Sequence, residues 1–307
     1  MLQSLIIEGL FGRFDYNLQF TNSADDKIRF ITAPNGFGKT TILRFINGLY
    51  NREFGVFFSV PFHSLTFVID YIPVRIEQVK RPVLQDSDSM DDDDEVFITL
   101  VFDGKQGTSG YLLSLADVAD QSGNSIVSDV VNQLDLFFAS ENCVFVDDRR
   151  LLRENTDASE LVRFTEMLKV KLREDSQETM DQVAVLKRIV DRSEFSNKRF
   201  EIDKAFGFRF VANDQYETKL AMSALSSGEQ HILLQALYLL FEAPTGTLVL
   251  IDEPEMSLHL SWQGDYLTNL LDIVSLRQVQ CIISTHSPFV FGSQYTRSLD
   301  LFELSGL

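Results

Sequence analysis

The sequence predicts an α/β fold, with an antiparallel β-subdomain near the N-terminus and a short helical insertion, on three observations. A glycine-rich turn, A-P-N-G-F-G-K-T-T from Ala33, lies between a strand pattern and a helical pattern. Far downstream an apolar run, L-V-L-I from Leu248, ends in the carboxylate pair Asp252 and Glu253. Between these two points the chain passes from short β-branched and aromatic runs to charge-rich helical spacing.

The elements follow in order. Runs of β-branched and aromatic residues predict strands at 4–9, 16–20, 29–32, 65–70, 74–79 and 96–102. Residues 40–49 open directly after the glycine-rich turn and carry Ile42, Leu43, Phe45, Ile46 and Leu49 at helical spacing. The run 85–95, Q-D-S-D-S-M-D-D-D-D-E, is dense in like charge and lacks the spacing and glycine of an EF-hand, so a solvated hairpin tip is expected. From about 152 to 199 the composition turns charge-rich, with helical spacing in 161–172 and 180–190. No heptad run there reaches the roughly three to four repeats that a coiled coil needs. Helix at 229–241, strand at 247–251, helix at 261–274 and strand at 279–284 complete the pattern. The expectation is one domain over residues 1–307, its core split into about 1–150 and 200–307 by the helical insertion at about 152–199.

With 307 residues, 45% of them hydrophobic, the chain can bury one large core or two modest ones. No apolar run approaches the ~20 residues needed to cross a bilayer. The N-terminal stretch carries Glu8 and has no basic lead-in, so no signal peptide, no membrane association and a cytoplasmic location are expected. A net charge of −18 opposes nonspecific attraction to DNA, which depends on basic groups displacing counterions. It favours a protein partner over a duplex without excluding a local basic groove. Cys143 and Cys281 sit in apolar strand-like runs without metal-site spacing and read as small buried hydrophobes.

Phosphate oxygens need several donors converging on a small concavity. Gly36 and Gly38 let the backbone curl so that successive N–H groups, from Asn35 through Phe37 to Thr41, point inward. The helix N-terminus adds its dipole, Lys39 reaches the β- and γ-phosphates of ATP, and the Thr40 hydroxyl is placed for Mg²⁺. Ala33 stands where a P-loop usually begins with Gly. At the downstream strand end, Asp252 fits a Mg²⁺ ligand and Glu253 the group that polarises an attacking water. Their place, about 210 residues after the P-loop, makes each motif support the other.

Residues 225–229, L-S-S-G-E, stand before a helix and upstream of the acidic pair. They resemble the signature of ABC ATPases, L-S-G-G-Q, with Ser227 for the first Gly and Glu229 for Gln. Ser226, the Gly228 amide and the helix N-terminus make an anion site. A plain N-cap, with Ser226 or Ser227 capping, is the competing reading. His286, in I-I-S-T-H-S-P, follows the acidic pair by about 33 residues, as the ABC switch histidine does, and would sense the γ-phosphate. The stretch 254–259, ending in His259, occupies the place of the D-loop and is expected to pack at a dimer interface. His63 and His231 carry no assigned role.

These motifs in this order resemble the RecF, SMC and OLD branch of the ABC ATPases, and E-P-E-x-x-L-H after the acidic pair is most similar to OLD-like members. The opening E-G-L-F-G-R-F-D-Y with A-P-N-G-F-G-K-T-T resembles small bacterial "AAA family" ATP-binding proteins of this branch. The resemblance covers about residues 1–50 and 220–304. It implies a P-loop NTPase fold of the ABC type, Mg-ATP hydrolysis, and a homodimer or higher homo-oligomer in which each signature serves the partner's nucleotide. It also implies control of a separate effector, a toxin or nuclease, in antiphage defence. The chain reaches only the last ABC strand near 304, so neither a TOPRIM nuclease domain nor a long coiled-coil arm is expected. At 145–151, F-V-D-D-R-R-L, Arg149 stands where the branch carries a Q-loop glutamine. An arginine cannot bind a cation, so either the register differs or turnover is slow or differently controlled. A RecF-like DNA-repair or clamp ATPase is the alternative reading, and a transporter ATPase subunit a third.

Overall fold

The computed structural model describes residues 1–21, 27–81, 95–104, 107–119, 125–138, 143–147, 157–193, 195, 198–292 and 294–306. Most of the acidic run and Arg149 lie outside the described residues. The chain divides into two compact units, Met1–Phe145 with Ser298–Leu307, and Val146–Arg297.

In the first unit, β1 (Leu2–Leu10), β2 (Phe14–Gln19), β4 (Ser64–Ile69), β5 (Ile72–Arg81), β6 (Glu95–Gly104) and β7 (Gly107–Ser114) form an antiparallel sheet in the order β2-β1-β4-β5-β6-β7. Alternation along β2, buried at Phe14, Tyr16 and Leu18, gives it one covered face. The β4–β5 hairpin turns on Asp70 and Tyr71, both with positive φ, the backbone shape that matches the twist of the flanking strands. The strand β3 (Ile28–Thr32) is buried along most of its length and pairs in parallel with β14 (Ser298–Asp300), Phe30 opposite Ser298 and Thr32 opposite Asp300. Helix α1 (Lys39–Tyr50) follows β3 and buries Ile42, Leu43, Phe45, Ile46 and Leu49. Phe45 packs against Phe57 and Phe62 with ring centroids 5.6 and 5.3 Å apart. Helices α2 (Leu115–Ala119) and α3 (Ser125–Asp135) follow β7, and Arg52 ties the end of α1 to α3 through Asp135 at 2.6 Å.

The strand β8 (Cys143–Asp147) crosses the boundary between the units. In the second unit, α4 (Asp157–Arg173) and α5 (Gln177–Arg192) supply the helices expected between 152 and 199, and both pack on α6 (Ser227–Phe241). They belong to the same compact unit as α6. Helix α6 is apolar nearly all round and correspondingly buried nearly all round. A three-stranded antiparallel sheet, β11 (Lys219–Leu220), β10 (Gly207–Ala212) and β9 (Lys198–Asp203), follows α5. Then β12 (Leu248–Asp252) and β13 (Gln280–Thr285) run in parallel, joined through α7 (Leu260–Arg277), with Asp252 opposite Ser284. Both strands have an apolar centre, Leu248–Ile251 in β12 and Cys281–Ile283 in β13, that is buried throughout, as parallel strands covered on two faces require. The short α8 (Pro288–Phe291) follows β13, and α9 (Leu301–Leu304) lies in the first unit. Both cysteines are buried and free, and burial pushes both thiols well above their ordinary pKa. Among the described residues no helix is long and apolar enough to cross a membrane.

Candidate functional site

The P-loop residues lie in the first unit, in the turn between β3 and α1. Gly36 and Gly38 have φ of +87° and +92°, a left-handed backbone that side chains resist. A Cβ on Gly38 would also sit 2.7 Å from Leu10 Cδ2, so that position needs glycine twice over. Beside Gly36 the space is open, which leaves room for a ligand against the backbone. Gly38 is the N-cap of α1 and brings no side-chain acceptor to the first-turn amides, and no acidic side chain stands in that turn. Its N–H groups and dipole therefore suit an anion. Lys39 is 5% exposed and donates to the Ala33 carbonyl at 3.2 Å, which folds the ammonium back over the loop. Thr40 and Thr41 are half-buried behind it, while Asn35 is exposed. This donor set fits the phosphates of a nucleotide, and the Thr40 hydroxyl fits a hard cation such as Mg²⁺.

Phe37 packs its ring against Phe14 and Phe302, centroids 5.1 and 5.7 Å away, and the Tyr16 hydroxyl donates to its carbonyl at 3.0 Å. The Phe37 side chain is thus the loop's anchor, and its backbone is what remains for a ligand. Burial raises the Tyr16 pKa to about 12, against a smaller lowering by Arg13, so the hydroxyl stays a donor at neutral pH. The sequence reading did not identify Tyr16, Phe14 or Phe302 as supports of the loop.

The acidic pair and His286 lie in the second unit, at the ends of β12 and β13. The parallel register sets Asp252 beside Ser284, whose hydroxyl donates to the Asp252 carboxylate. Glu253 leaves the strand in a left-handed conformation, φ 47° and ψ 56°, with Pro254 next. Proline disfavours a right-handed helical residue before it, and the left-handed turn costs about 1–3 kcal/mol. Its amide donates to the Ser284 carbonyl at 3.0 Å, and Glu253 Oε1 stands 3.1 Å from His286 Nε2. Both side chains are about one-third exposed. The structure therefore brings together two successive carboxylates, one held by Ser284 and the other beside the His286 imidazole. Among the described residues no group of three or more His, Cys, Asp or Glu side chains is gathered as a metal site.

The signature residues open α6. Ser226 is its N-cap, and the full capping box is present: Ser226 Oγ accepts from the Glu229 amide at 3.3 Å, and Glu229 Oε2 accepts from the Ser226 amide at 2.7 Å. Glu229 is 2% exposed and its carboxylate also receives Lys198 Nζ at 2.7 and 3.0 Å. Lys198, at the start of β9, is a partner that the sequence reading missed. Ser226 and Ser227 are exposed. Gly228 needs no special φ; a Cβ there would lie 2.8 Å from Trp262 Cζ3 and 3.0 Å from the Ser257 carbonyl oxygen. Glycine at this position allows the start of α6 to approach the 254–259 segment. A cleft of about 1110 Å³ in this unit is lined by Ser226, Ser227, Lys198, Met256, His259 and Trp262 among others. His259 is the N-cap of α7, its Nδ1 2.8 Å from Ser261 Oγ.

The chain belongs to the family described as AAA domain, putative AbiEii toxin, Type IV TA system, whose model matches residues 34–292. Among solved structures it is similar to an SMC head domain from Thermotoga maritima, at 15% identity and a TM-score of 0.44, over 94% of this chain and 90% of that one. It is also similar to an Smc head bound to the C-winged helix domain of ScpA, at 12% identity and a TM-score of 0.43 with the same coverage of both chains. A third similar structure is an Smc head domain with an extended coiled coil bound to the C-terminal domain of ScpA derived from Pyrococcus furiosus, at 12% identity and a TM-score of 0.40, over 94% and 90%. No curated protein matches the sequence.

Proposed function

With membership of this AAA family as the premise, we propose that the protein binds Mg-ATP and hydrolyses it as an ATP-gated dimer controlling a separate effector. The P-loop amides from Asn35 to Thr41 and the Lys39 ammonium bind the phosphates. The Thr40 hydroxyl and, in the other unit, the Asp252 carboxylate each carry a hard oxygen that would suit Mg²⁺, which when bound would neutralise charge on the phosphate oxygens. Glu253 accepts the proton of the attacking water, and His286 orients that carboxylate and meets the γ-phosphate. The observation that carries this reading is the Glu253–His286 pair, 3.1 Å apart, beside an Asp252 that Ser284 holds in place.

The cleft at the start of α6 supports the second half of the proposal. The exposed Ser226 and Ser227 hydroxyls offer donors to an anion, and the segment 254–259 lines the same cleft. The anion is the nucleotide of a second copy of this chain. The family's description as a putative toxin of a type IV system supports a two-component setting, and hence a role in antiphage defence with a protein partner.

Glu253→Gln tests the catalytic assignment. The amide keeps the shape and loses the base, so ATP binding should persist while steady-state hydrolysis falls by about 100-fold or more. Hydrolysis by the purified variant at the unaltered rate would remove Glu253 from the mechanism.

A further inference from the structure

Glu255 has no part in the chemistry just described, yet its carboxylate accepts hydrogen bonds from the turn that carries His286. We infer that Glu255 is the positioning residue of that turn, holding the His286 imidazole against Glu253; this rests on the reading of Glu253 and His286 as base and partner.

The geometry is specific. Glu255 sits in the single 3-10 turn Pro254–Met256, two residues beyond Glu253. Its Oε1 accepts from the His286 amide at 2.6 Å and from the Ser287 amide at 3.2 Å, and its Oε2 accepts from Thr285 Oγ1 at 2.8 Å. One carboxylate thus receives donors from three successive residues centred on the histidine. Hydrogen bonds to a charged acceptor are shorter and stronger than neutral ones. The 2.6 Å contact is of that kind.

The regular elements on either side of the turn stop close to it. Thr285 is the last residue of β13, so the strand's pairing ends just before the histidine. The helix after it spans only Pro288–Phe291 and is too short to hold its own entry rigid. A second tie comes from Gln263 on α7. Its Oε1 accepts from Ser287 Oγ at 2.7 Å, while its Nε2 donates to the Glu255 and Leu258 carbonyls at 3.4 and 3.3 Å. The backbone at His286 and Ser287 is thus hydrogen-bonded to Glu255 of the segment 254–259. Because Glu253 immediately precedes that segment, base and histidine are held by one short stretch of chain. Met256, Ser257 and Leu258 of that stretch line the cleft beside the signature.

A residue that only stabilised the fold would lower activity through loss of folded protein, and its effect would multiply with that of removing His286. A residue acting through His286 has nothing left to position once the imidazole is gone. The test is a set of four proteins: wild type, Glu255→Ala, His286→Ala and the double variant. In Glu255→Ala, kcat should fall by about 10- to 100-fold, the scale of a misplaced catalytic group, while KM for Mg-ATP changes by less than about twofold. The double variant should match His286→Ala within about twofold in kcat. Losses that multiply would overturn the inference, as would a Glu255→Ala defect confined to KM.

A second readout needs no nucleotide. Histidine labelled with ¹⁵N gives ring signals for the four imidazoles, and the one missing from His286→Ala is His286. In Glu255→Ala that signal should move toward the position and width of a free imidazole; an unchanged signal contradicts the inference. If Glu255→Ala does not fold, Glu255→Gln keeps one acceptor oxygen and should show the same changes in smaller measure. Wild-type protein that hydrolyses no ATP but still shows the signal change would defeat the ATPase reading and leave the positioning role standing.

Discussion

The capping of the signature helix by a buried ion pair predicts strong coupling between Lys198 and Glu229. The Glu229 side chain is 3% exposed and that of Lys198 is 17% exposed, with Nζ 2.7 and 3.0 Å from the two carboxylate oxygens. Lys198→Met leaves a buried carboxylate with the Ser226 amide but without its counter-charge. Breaking one side of a buried pair costs about 3–5 kcal/mol, and the partial exposure of Lys198 brings the expected loss to about 2–3 kcal/mol. Glu229→Gln is milder. An amide oxygen still accepts from Ser226, Lys198 can turn to water, and the cost is about 1 kcal/mol. The double variant removes both charges and should lose no more than about 1 kcal/mol. The single losses sum to about 3–4 kcal/mol, so the coupling energy is about 2–3 kcal/mol. Urea unfolding followed by the fluorescence of Trp262, the chain's single tryptophan and a neighbour of Gly228, reports on this region. Additivity of the two substitutions within about 0.5 kcal/mol would refute the argument.

Two further perturbations follow from the site geometry. Lys39→Ala removes a charged donor from the P-loop and should weaken Mg-ATP binding about 100-fold in calorimetry with the fold retained; undiminished affinity contradicts the phosphate assignment. Gly228→Ala forces its Cβ onto Trp262 and the Ser257 carbonyl, and overpacking should outweigh the gain in helix propensity, for a net loss of about 1–2 kcal/mol in urea unfolding. A Gly228→Ala protein as stable as wild type would mean that the approach of α6 to the 254–259 segment is not tight.

The elements around the motifs were legible in the sequence because each is written in a local pattern. The helix expected at 40–49 forms as Lys39–Tyr50, that at 229–241 as Ser227–Phe241, and the strand at 279–284 as Gln280–Thr285. Boundaries moved where a cap decided them: Ser226 starts its helix two residues earlier than the apolar spacing suggests. The strands β7, β9 and β10 were not foreseen. K-R-F-E-I-D and G-T-S-G-Y-L-L-S carry charge or glycine that blurs the alternation, and their strand character comes from cross-strand partners. S-L-D at Ser298–Asp300 is too short to signal anything without β3 beside it.

The same division runs through the candidate site. Gly36, Gly38, Lys39 and the Asp252–Glu253 pair stand out as candidates because their chemistry is packed into a few consecutive residues. Ser284, Glu255 and Lys198 were not, since each meets its partner about 30 residues away and only the folded register brings them together. Ser284 was the one within reach of sequence reasoning. Two adjacent parallel strands ending together place the residue two before His286 beside Asp252. The role of Gly228 was hidden for a different reason: it depends on the bulk of Trp262, which no motif encodes.

The central claim, that each nucleotide is served by two copies of the chain, is tested most directly by mixing two inactive variants. Ser226→Arg fills the proposed anion site at the start of α6, and Glu253→Gln removes the proposed base. If the sites are composite, a heterodimer of the two, isolated through different tags, places both lesions on one nucleotide and leaves the other site whole. The isolated heterodimer should then hydrolyse Mg-ATP at a rate that neither variant reaches alone. A heterodimer that forms with bound nucleotide yet hydrolyses no faster than either parent would contradict a signature acting across the dimer.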